Sequence, residues 1–184
     1  MRLKRVYVRF YKSFNYDYER KFNGGEPDPW DSLEGAWYPF VRLDLEDSTT
    51  TIVGANASGT SQLLDAIARL ITGRSIERSD FCRYSRFFSV QEGHRRSPDF
   101  GGEFEAVTEA ELKSVQSLGL KVRKGERFRI FRMSGQAPVG YVQGQPAPLD
   151  IDDAALKAVL PLPFRLHADL ALPASTPLYE LTPD

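Results

Sequence analysis

The sequence predicts an α/β fold, with a mixed sheet around one central helix and a β-rich subdomain built from the middle of the chain. Two observations predict this arrangement. Apolar residues alternate with polar ones in several short segments, which is the pattern of half-buried strands. In residues 61–72 the apolar residues recur instead at helical intervals, and Gly73 is well placed to end the helix. At 184 residues, the chain is long enough to bury a core as one domain.

Three strands are predicted before this helix. Residues 3–10 and 37–47 alternate, so each strand should bury one face. Residues 49–53 form a continuous β-branched run, which is typical of a strand buried on both faces. The residues predicted to be buried in the first two strands are Val6, Val8, Phe10, Phe40, Leu43 and Leu45.

Further strands and helices are predicted after Gly73. In order, they are a strand (101–107), a helix (108–119), a hairpin (127–133 with 140–144) and a helix (150–160). Thr108 and Glu111 have the spacing of a capping box. Asp152 and Asp153 fall in a first helical turn, where the helix dipole favours acidic side chains, so they suit a helix start better than an acid–base pair.

The composition excludes several classes of protein. A formal net charge of −1 argues against a generally basic nucleic-acid binder. Cys82 is the single cysteine, so no disulfide can form within the chain, and one cysteine with the distant His94 and His167 makes no zinc cluster. The sequence has no apolar run suited to a bilayer and no signal-peptide pattern at its start. We therefore expect a cytoplasmic protein without membrane contact.

The stretch "GANASGTS", residues 54–61, has the pattern of a phosphate-binding loop. Gly54 and Gly59 have the required spacing, because the backbone of such a loop wraps the phosphates and aims its N–H groups inward. The predicted helix directly behind the loop offers free N–H groups and a favourable dipole. Ser61 stands where a hydroxyl holds magnesium, but Thr60 occupies the position of the phosphate-contacting lysine.

Glycine spacing alone does not identify such a loop. Gly135 and Gly140 form a second pair at the same spacing, within a predicted hairpin that is followed by no helix. Only the first pair lies between a predicted strand and an amphipathic helix, which is the context that the chemistry requires.

The longer segment "VGANASGTSQLLDAI", residues 53–67, resembles the Walker A segment of ABC-type ATPase heads in the SMC, Rad50 and RecF group. The segment "DFCRYSRFF", residues 80–88, resembles related ATPases of OLD-type and phage-defence systems. Beyond the glycines and Ser61, the matching residues are Asn56, Ser58, Leu64, Asp65, Ala66 and Ile67. The segment "VYVRFYKSFNY", residues 6–16, is similar to the opening motif of these heads and places Lys12 at their phosphate-approaching basic position.

This resemblance implies binding of ATP with Mg²⁺, and Ser61 would be the magnesium ligand. The nucleotide-binding residues that it implies are Lys12, Gly54, Asn56, Ala57, Ser58, Gly59, Thr60, Ser61 and Gln62. It assigns no catalytic residue. The function implied is that of a nucleotide-binding lobe acting in DNA repair, chromosome maintenance or phage defence.

Heads of this group are split along the sequence into two lobes. The sequence has no suitably placed signature motif, since "MSGQ" at residues 133–136 lies in a predicted hairpin, and it has no Walker B pattern. We therefore expect residues 1–184 to form one N-terminal lobe, with the Walker A part in 1–73 and the β-subdomain and extension in 74–184. The partners implied are the C-terminal lobe, which is absent here, a second head, and DNA or a nuclease subunit.

Thr60 changes what this loop can do. Its side chain is neutral and too short to reach a γ phosphate, and loss of such a charge-assisted contact costs about 2–4 kcal/mol in the step that needs it. We expect weak nucleotide binding and no efficient hydrolysis. The threonine is either engineered or natural, and the retained Gly59 and Ser61 favour the first explanation. The alternative function is a non-enzymatic interaction or scaffold module with a vestigial loop.

Other residues allow two interpretations. Gln91 could join two lobes through magnesium, although a solvated loop glutamine is the simpler interpretation. Cys82 is expected to be a small buried residue. Trp30 and Trp37 are expected to pack down the proline-rich excursion that they flank, and the alternative is a role in base stacking. A set of arginines and aromatic residues could form a surface for DNA or a partner, or could cover the edge of the core. The residues of this set are Arg74, Arg78, Phe81, Arg83, Tyr84, Arg86, Phe87, Phe88, Arg95 and Arg96.

Overall fold

The computed structural model describes residues 1–15, 28–33, 35–54, 59–85, 87–89, 93–94, 96–145 and 147–164, with only the backbone at 88–89 and 93–94. The strands in these residues are β1 (Arg2–Arg9), β2 (Ser32–Leu33), β3 (Ala36–Trp37), β4 (Val41–Asp44), β5 (Phe88–Ser89), β6 (Gly93–His94), β7 (Asp99–Glu105), β8 (Arg127–Arg132), β9 (Val139–Val142) and β10 (Leu149–Asp150). The helices are α1 (Thr60–Thr72), α2 (Glu109–Ser117) and α3 (Asp153–Val159), with 3₁₀ turns at Pro29–Asp31 and Arg78–Asp80.

The main sheet has six strands in the order β10-β9-β8-β7-β1-β4. Every pair in it is antiparallel, so the fold is α/β but the mixed sheet predicted from the sequence is wrong for the described residues. The strands from the middle of the chain continue the same sheet as β1 and β4. The predicted β-rich subdomain is therefore one part of a single sheet.

Residues 49–53 do not form the strand that their composition predicts. After β4 the chain leaves the sheet, the amide of Glu46 donates to the hydroxyl of Thr50 at 2.9 Å, and the side chain of Val53 is 85% exposed. β1 already has β4 on one side and β7 on the other, so this segment cannot lie beside β1 in the sheet. The outer edge of β4 has no partner strand in the described residues, so strand composition alone did not suffice for pairing.

The helix-covered face of the sheet carries the largest hydrophobic cluster. α1 lies on this face and buries Leu63, Ala66 and Leu70 against the phenylalanines of β7. Gly102 of β7 makes this packing possible, because a Cβ at that position would lie 2.7 Å from a methyl carbon of Leu70. The helix predicted from periodicity is thus confirmed, and Gly73 ends it with a left-handed φ of 61°.

The opposite face carries a mainly aromatic cluster of Tyr7, Trp30, Phe40, Phe131 and Val139. The ring of Trp30 stacks on Phe131 with 5.1 Å between centroids, which confirms a packing role for this tryptophan. Gly101, next to Gly102 in β7, accommodates that phenylalanine, since a Cβ there would lie 2.4 Å from its ring.

Two residues depart from the predicted alternation. Phe40 precedes β4 and joins the aromatic cluster, whereas Leu43 packs on the helix-covered face, because residues three apart in extended chain point to opposite sides. Phe10 follows β1 with a positive φ of 58° and packs beside Leu33 and Tyr38, away from Val6 and Val8.

The later elements agree with the sequence. Thr108 and Glu111 form the predicted capping box of α2, and Asp152 caps α3 by accepting from the amide of Ala155 at 2.8 Å. β8 and β9 form the predicted hairpin, whose turn contains Gly135 with a φ of 72°. None of the helices in the described residues has both the length and the apolar character that crossing a membrane requires.

Candidate functional site

The N-terminal end of α1 begins directly after Gly59. This glycine adopts a φ of 101°, a left-handed conformation that other residues rarely take, and has no side chain to cap the helix. The first intrahelical hydrogen bond runs from the amide of Leu63 to the carbonyl of Gly59 at 2.9 Å. The amides of residues 60–62 therefore have no acceptor within the helix, and this arrangement favours an anion at the end of the helix.

A tight turn at residues 11–14 lies beside this helix end. The amide of Phe14 donates to the carbonyl of Tyr11 at 2.7 Å, and Lys12 adopts a positive φ of 49°. The amide of Lys12 donates to the carbonyl of Asp80 at 2.9 Å, which ties the turn to the segment that follows α1. The turn is thus stabilised by a hydrogen bond within it and by one to the segment after α1.

The turn and the helix end contact each other through side chains. The hydroxyl of Ser13 donates to Oε1 of Gln62 at 2.9 Å, and the phenol of Tyr11 donates to the carboxylate of Asp65. Gly59 lies against the same turn, since a Cβ there would be 3.3 Å from Oγ of Ser13 and 3.4 Å from the ring of Phe14. Two sequence motifs separated by some fifty residues therefore meet in space.

A charged cluster extends this contact along α1. Arg69 donates to Asp65 at 3.2 Å and pairs with Asp80 at 2.9 Å. Nζ of Lys12 lies 3.8 Å from the carboxylate of Asp65 and 3.6 Å from that of Asp80. The side chain of Asp80 is only 2% exposed, so these two cations compensate a buried negative charge.

The cluster shifts the pKa values of its members. Burial raises the pKa of Tyr11, and the hydrogen bond to Asp65 raises it further. Burial alone would raise the pKa of Asp65, but the hydrogen bonds from Tyr11 and Arg69 outweigh it, and the pKa lies below its ordinary value. For Arg69 burial acts to lower the pKa, while the bond to Asp65 and the charge of Asp80 raise it on balance. Asp65 is thus held as a carboxylate.

The predicted site residues are placed as follows. Thr60 is the first residue of α1 and half-buried, Ser61 is exposed on the first turn, and Gln62 is engaged by Ser13. Gly54 is exposed at the end of an irregular segment. Asn56, Ala57 and Ser58 lie outside the described residues, so the path of the loop between the two glycines stays a prediction.

The side chain of Lys12 contacts α1 farther from the helix start than the resemblance implies. Its ammonium group is beside Asp65, on the second turn of the helix, and beside Asp80 of the following 3₁₀ turn. In this arrangement its charge is shared by two carboxylates. A role at a phosphate would require Lys12 to leave this position.

The arginine and aromatic segment is described only in part. Arg74, Arg78, Arg83 and Tyr84 are exposed, and Cys82 is buried as expected. Other members of the set are not on the surface, since Phe81 is buried and Arg96 pairs with buried Asp99 at 3.6 Å. Arg86, Gln91, Arg95 and His167 lie outside the described residues, as does every side chain in 88–95. A surface role for this segment stays a prediction.

Sequence reasoning missed two residues that organise the site, Arg69 and Asp80. A signal for Arg69 was available, because an arginine four residues after Asp65 falls on the same side of α1 and can pair with it. Asp80 gave no such signal, since only the fold brings residues 78–80 against the turn at residues 11–14.

No protein-family model matches the chain, and no curated protein matches it. Solved structures that resemble it include one from work on the ATP-driven dimerization and DNA-stimulated activation of SMC ATPases. That likeness has a TM-score of 0.47 and 14% sequence identity, and it covers 86% of this chain and 77% of the other. A likeness this weak assigns neither a fold family nor a function.

Proposed function

We propose that this chain is the nucleotide-binding lobe of an SMC-, Rad50- or RecF-like ATPase, with ATP and Mg²⁺ as its ligands and with hydrolysis disabled by Thr60. The observation that carries the proposal is the contact between the two motifs. Ser13 and Tyr11 of the N-terminal motif bind Gln62 and Asp65 of the Walker A-like motif, although nothing in the sequence spacing requires them to meet.

The described residues fit the phosphate end of a nucleotide in part. Gly59 provides the left-handed backbone and the uncapped helix end that a phosphate cradle needs. Ser61 is exposed on the first turn, where its hydroxyl is accessible to a magnesium ion. A nucleotide would supply the phosphate charges. The backbone amides of this chain would orient the phosphates, and Ser61 would offer its hydroxyl.

With Thr60 in place of the lysine, the loop lacks the ammonium group that would stabilise negative charge during phosphoryl transfer. In the proposed lobe, binding is therefore weak and turnover does not occur. In the intact assembly, a C-terminal lobe and a second head would complete the site, and DNA or a nuclease subunit would be the partner served. These partners rest on the motif resemblance alone.

The test is a titration of the full chain with labelled ATP and Mg²⁺, comparing the protein with its Thr60→Lys variant. Restoring the ammonium group should strengthen binding by about tenfold or more. Ser114→Lys, on the exposed face of α2, is the matched control because it adds the same charge far from the loop. Equal affinities for the Thr60→Lys and Ser114→Lys variants would contradict the proposed role of the loop.

A second candidate is a non-enzymatic interaction module with a vestigial loop. Two observations favour it: residues 49–53 do not form the strand that precedes a phosphate-binding loop, and Lys12 is engaged by two carboxylates. In the same titration, this module would show no ATP binding with either residue at position 60. The two candidates therefore give opposite results in one experiment.

A further inference from the structure

A surface cavity of about 270 Å³ lies at the C-terminal end of α1, at the opposite end of the helix from the proposed nucleotide loop. Its walls come from the end of α1 and the segment after it, from the residues before β7, and from the β8–β9 turn. Among the described residues, its charged lining residues are Arg69, Arg74 and Arg132, and none of the lining residues is acidic. We propose that this cavity binds a small phosphate monoester.

The arginines are arranged so that the end of the helix does not repel an anion. The last carbonyls of a helix carry partial negative charge, which would disfavour a phosphate. Here Nε of Arg132 donates to the carbonyl of Leu70 at 2.7 Å, and Nη1 of Arg69 donates to that of Ser75 at 2.5 Å. The first bond satisfies a carbonyl of the last helical turn, the second satisfies a carbonyl just after the helix, and together they fix both guanidinium groups in the cavity wall.

The cavity also has donor capacity that the protein does not use. Nη2 of Arg132 is buried and has no hydrogen-bond acceptor among the described residues, although its other nitrogens bind Leu70 and Asp153. A buried guanidinium N–H without an acceptor is costly, and an oxyanion in the cavity would satisfy it once the Arg132 side chain turns this nitrogen toward the ligand. Arg74 is exposed beside it and supplies a second positive charge at the mouth.

The remaining lining residues suit a ligand with one phosphate group and a small apolar part. Ser75, Ser97 and Ser134 offer hydroxyl groups, and the amide of Ser97 already donates to Oγ of Ser134 at 3.1 Å. Ile76 and Phe100 give the cavity an apolar part. Pockets that enclose drug-sized ligands have volumes from about 300 Å³ upwards. The volume of this cavity lies just below that range, so we expect a ligand smaller than a nucleoside triphosphate.

Gly73 keeps the cavity open on the helix side. Its φ of 61° ends α1, and a Cβ there would lie 2.8 Å from Cε of Lys157 and 3.0 Å from the guanidinium of Arg132. Any larger residue would have to displace the side chain of Lys157 or that of Arg132, which lines the cavity. The glycine therefore serves both the helix end and the position of Arg132.

The test is a titration of the full chain with inorganic phosphate at constant ionic strength, followed by backbone amide NMR. Binding should shift the amides of Gly73, Ser97 and Gly135. Phenyl phosphate should bind more tightly than phosphate because its ring contacts the apolar wall, and acetate should bind more weakly. Shifts confined to Gly59 and Ser61 would place phosphate at the nucleotide loop and overturn the proposal, and so would equal binding of acetate.

One variant with a matched control locates the site. Ser75→Asp places a carboxylate in the cavity wall and should weaken phosphate binding by about tenfold or more. Ser79→Asp adds the same charge to an exposed serine of the same segment, outside the cavity, and should leave binding within about twofold of the starting protein. Equal losses in these two variants would overturn the assignment.

Arg74→Gln tests the cation at the mouth and does not disturb a buried contact, so it serves even if Ser75→Asp fails to fold. We expect phosphate affinity to fall by about fivefold to tenfold, with Arg78→Gln as the control. Unchanged affinity in Arg74→Gln would count against the site. Thr60→Lys should leave phosphate binding in the cavity unaltered, so failure of this proposal is distinguishable from failure of the nucleotide proposal.

Discussion

The two ends of α1 are bound to the rest of the protein in different ways. At the N-terminal end, a glycine without a cap packs against a short turn, and Ser13 donates to the neutral side chain of Gln62. From the middle of the helix to its C-terminal end, the contacts are made by guanidinium groups, with Arg69 and Arg132 donating to carboxylates and carbonyl oxygens. Two short motifs make the contacts at the first end. The contacts at the second end join four segments, which are α1, residues 75–80, β8 and α3.

This difference has an energetic consequence. Charged groups that are buried and paired are costly to unpair, whereas an exposed neutral hydrogen bond contributes little. Stability should therefore depend strongly on the arginines and only weakly on the contacts at the N-terminal end. Substitutions at the two ends of α1 test this difference in stability.

The largest expected effect is that of Arg69→Met. The substitution removes the guanidinium group from buried Asp80 and from Asp65, and we expect the free energy of unfolding to fall by about 3 kcal/mol. Urea denaturation measures the change. Adding Asp80→Asn should recover part of the loss, because the unpaired buried charge is then removed. A loss no larger than that of Gln62→Ala would show that the contrast between the two ends is wrong.

Gly73→Ala should lower the free energy of unfolding by about 2 kcal/mol. It places a side chain at a positive φ and within 3.0 Å of Arg132, so conformational strain and a clash add together. Gly125→Ala is the control, because its φ of 75° is similar but nothing lies within 4 Å of the new Cβ. The difference between the two losses, measured by denaturation, reports the clash alone, and equal losses would exclude it.

The pH dependence of stability should change in Asp65→Asn. Because the folded pKa of Asp65 is lowered, its ionised form contributes stability above the unfolded pKa of about 4, and that contribution is lost as pH falls through the folded pKa. We therefore expect the variant to lose less stability than the parent protein between pH 5 and pH 2. Parallel curves for the two proteins, from urea denaturation at each pH, would exclude a stabilising role for the ionised group.

Gln62→Ala should have the smallest effect, about 0.5–1 kcal/mol or less. It removes the acceptor of the Ser13 hydroxyl, but both groups are near solvent and can bind water instead. Ser13→Ala is the matched variant, and the double variant should lose no more than either single variant if the bond is the only interaction lost. A loss above 2 kcal/mol would mean that the N-terminal contact holds the fold together.

The contrast also explains what could be predicted from the sequence. The positions of α1, α2 and α3 follow from local patterns, since the periodicity of residues 61–72, the capping box at Thr108 and the acidic start at Asp152 identify these helices correctly. The two motifs were visible for the same reason, since each is a contiguous run. Local chemistry fixes these features, so the sequence alone can reveal them.

Other features could not be read from local patterns. Residues 49–53 have strand composition, but the positions beside β1 are taken by β4 and β7, which only the topology determines. The orientation of Phe40 likewise depends on where β4 begins. Asp80 joins the candidate site, and Arg132 joins the cavity, only because distant segments meet at α1. Such contacts lie in the fold and not in any short stretch of sequence.

Gly101 and Gly102 give the sheet an unusual thinness at its centre. With no side chain at either residue, Leu70 of the helix and Phe131 of the aromatic cluster approach the same bare stretch of backbone from opposite sides. The indole of Trp30 stacks directly on that phenylalanine. We therefore expect a displacement of α1 to alter the packing around Trp30, and tryptophan emission would report such a displacement without a label.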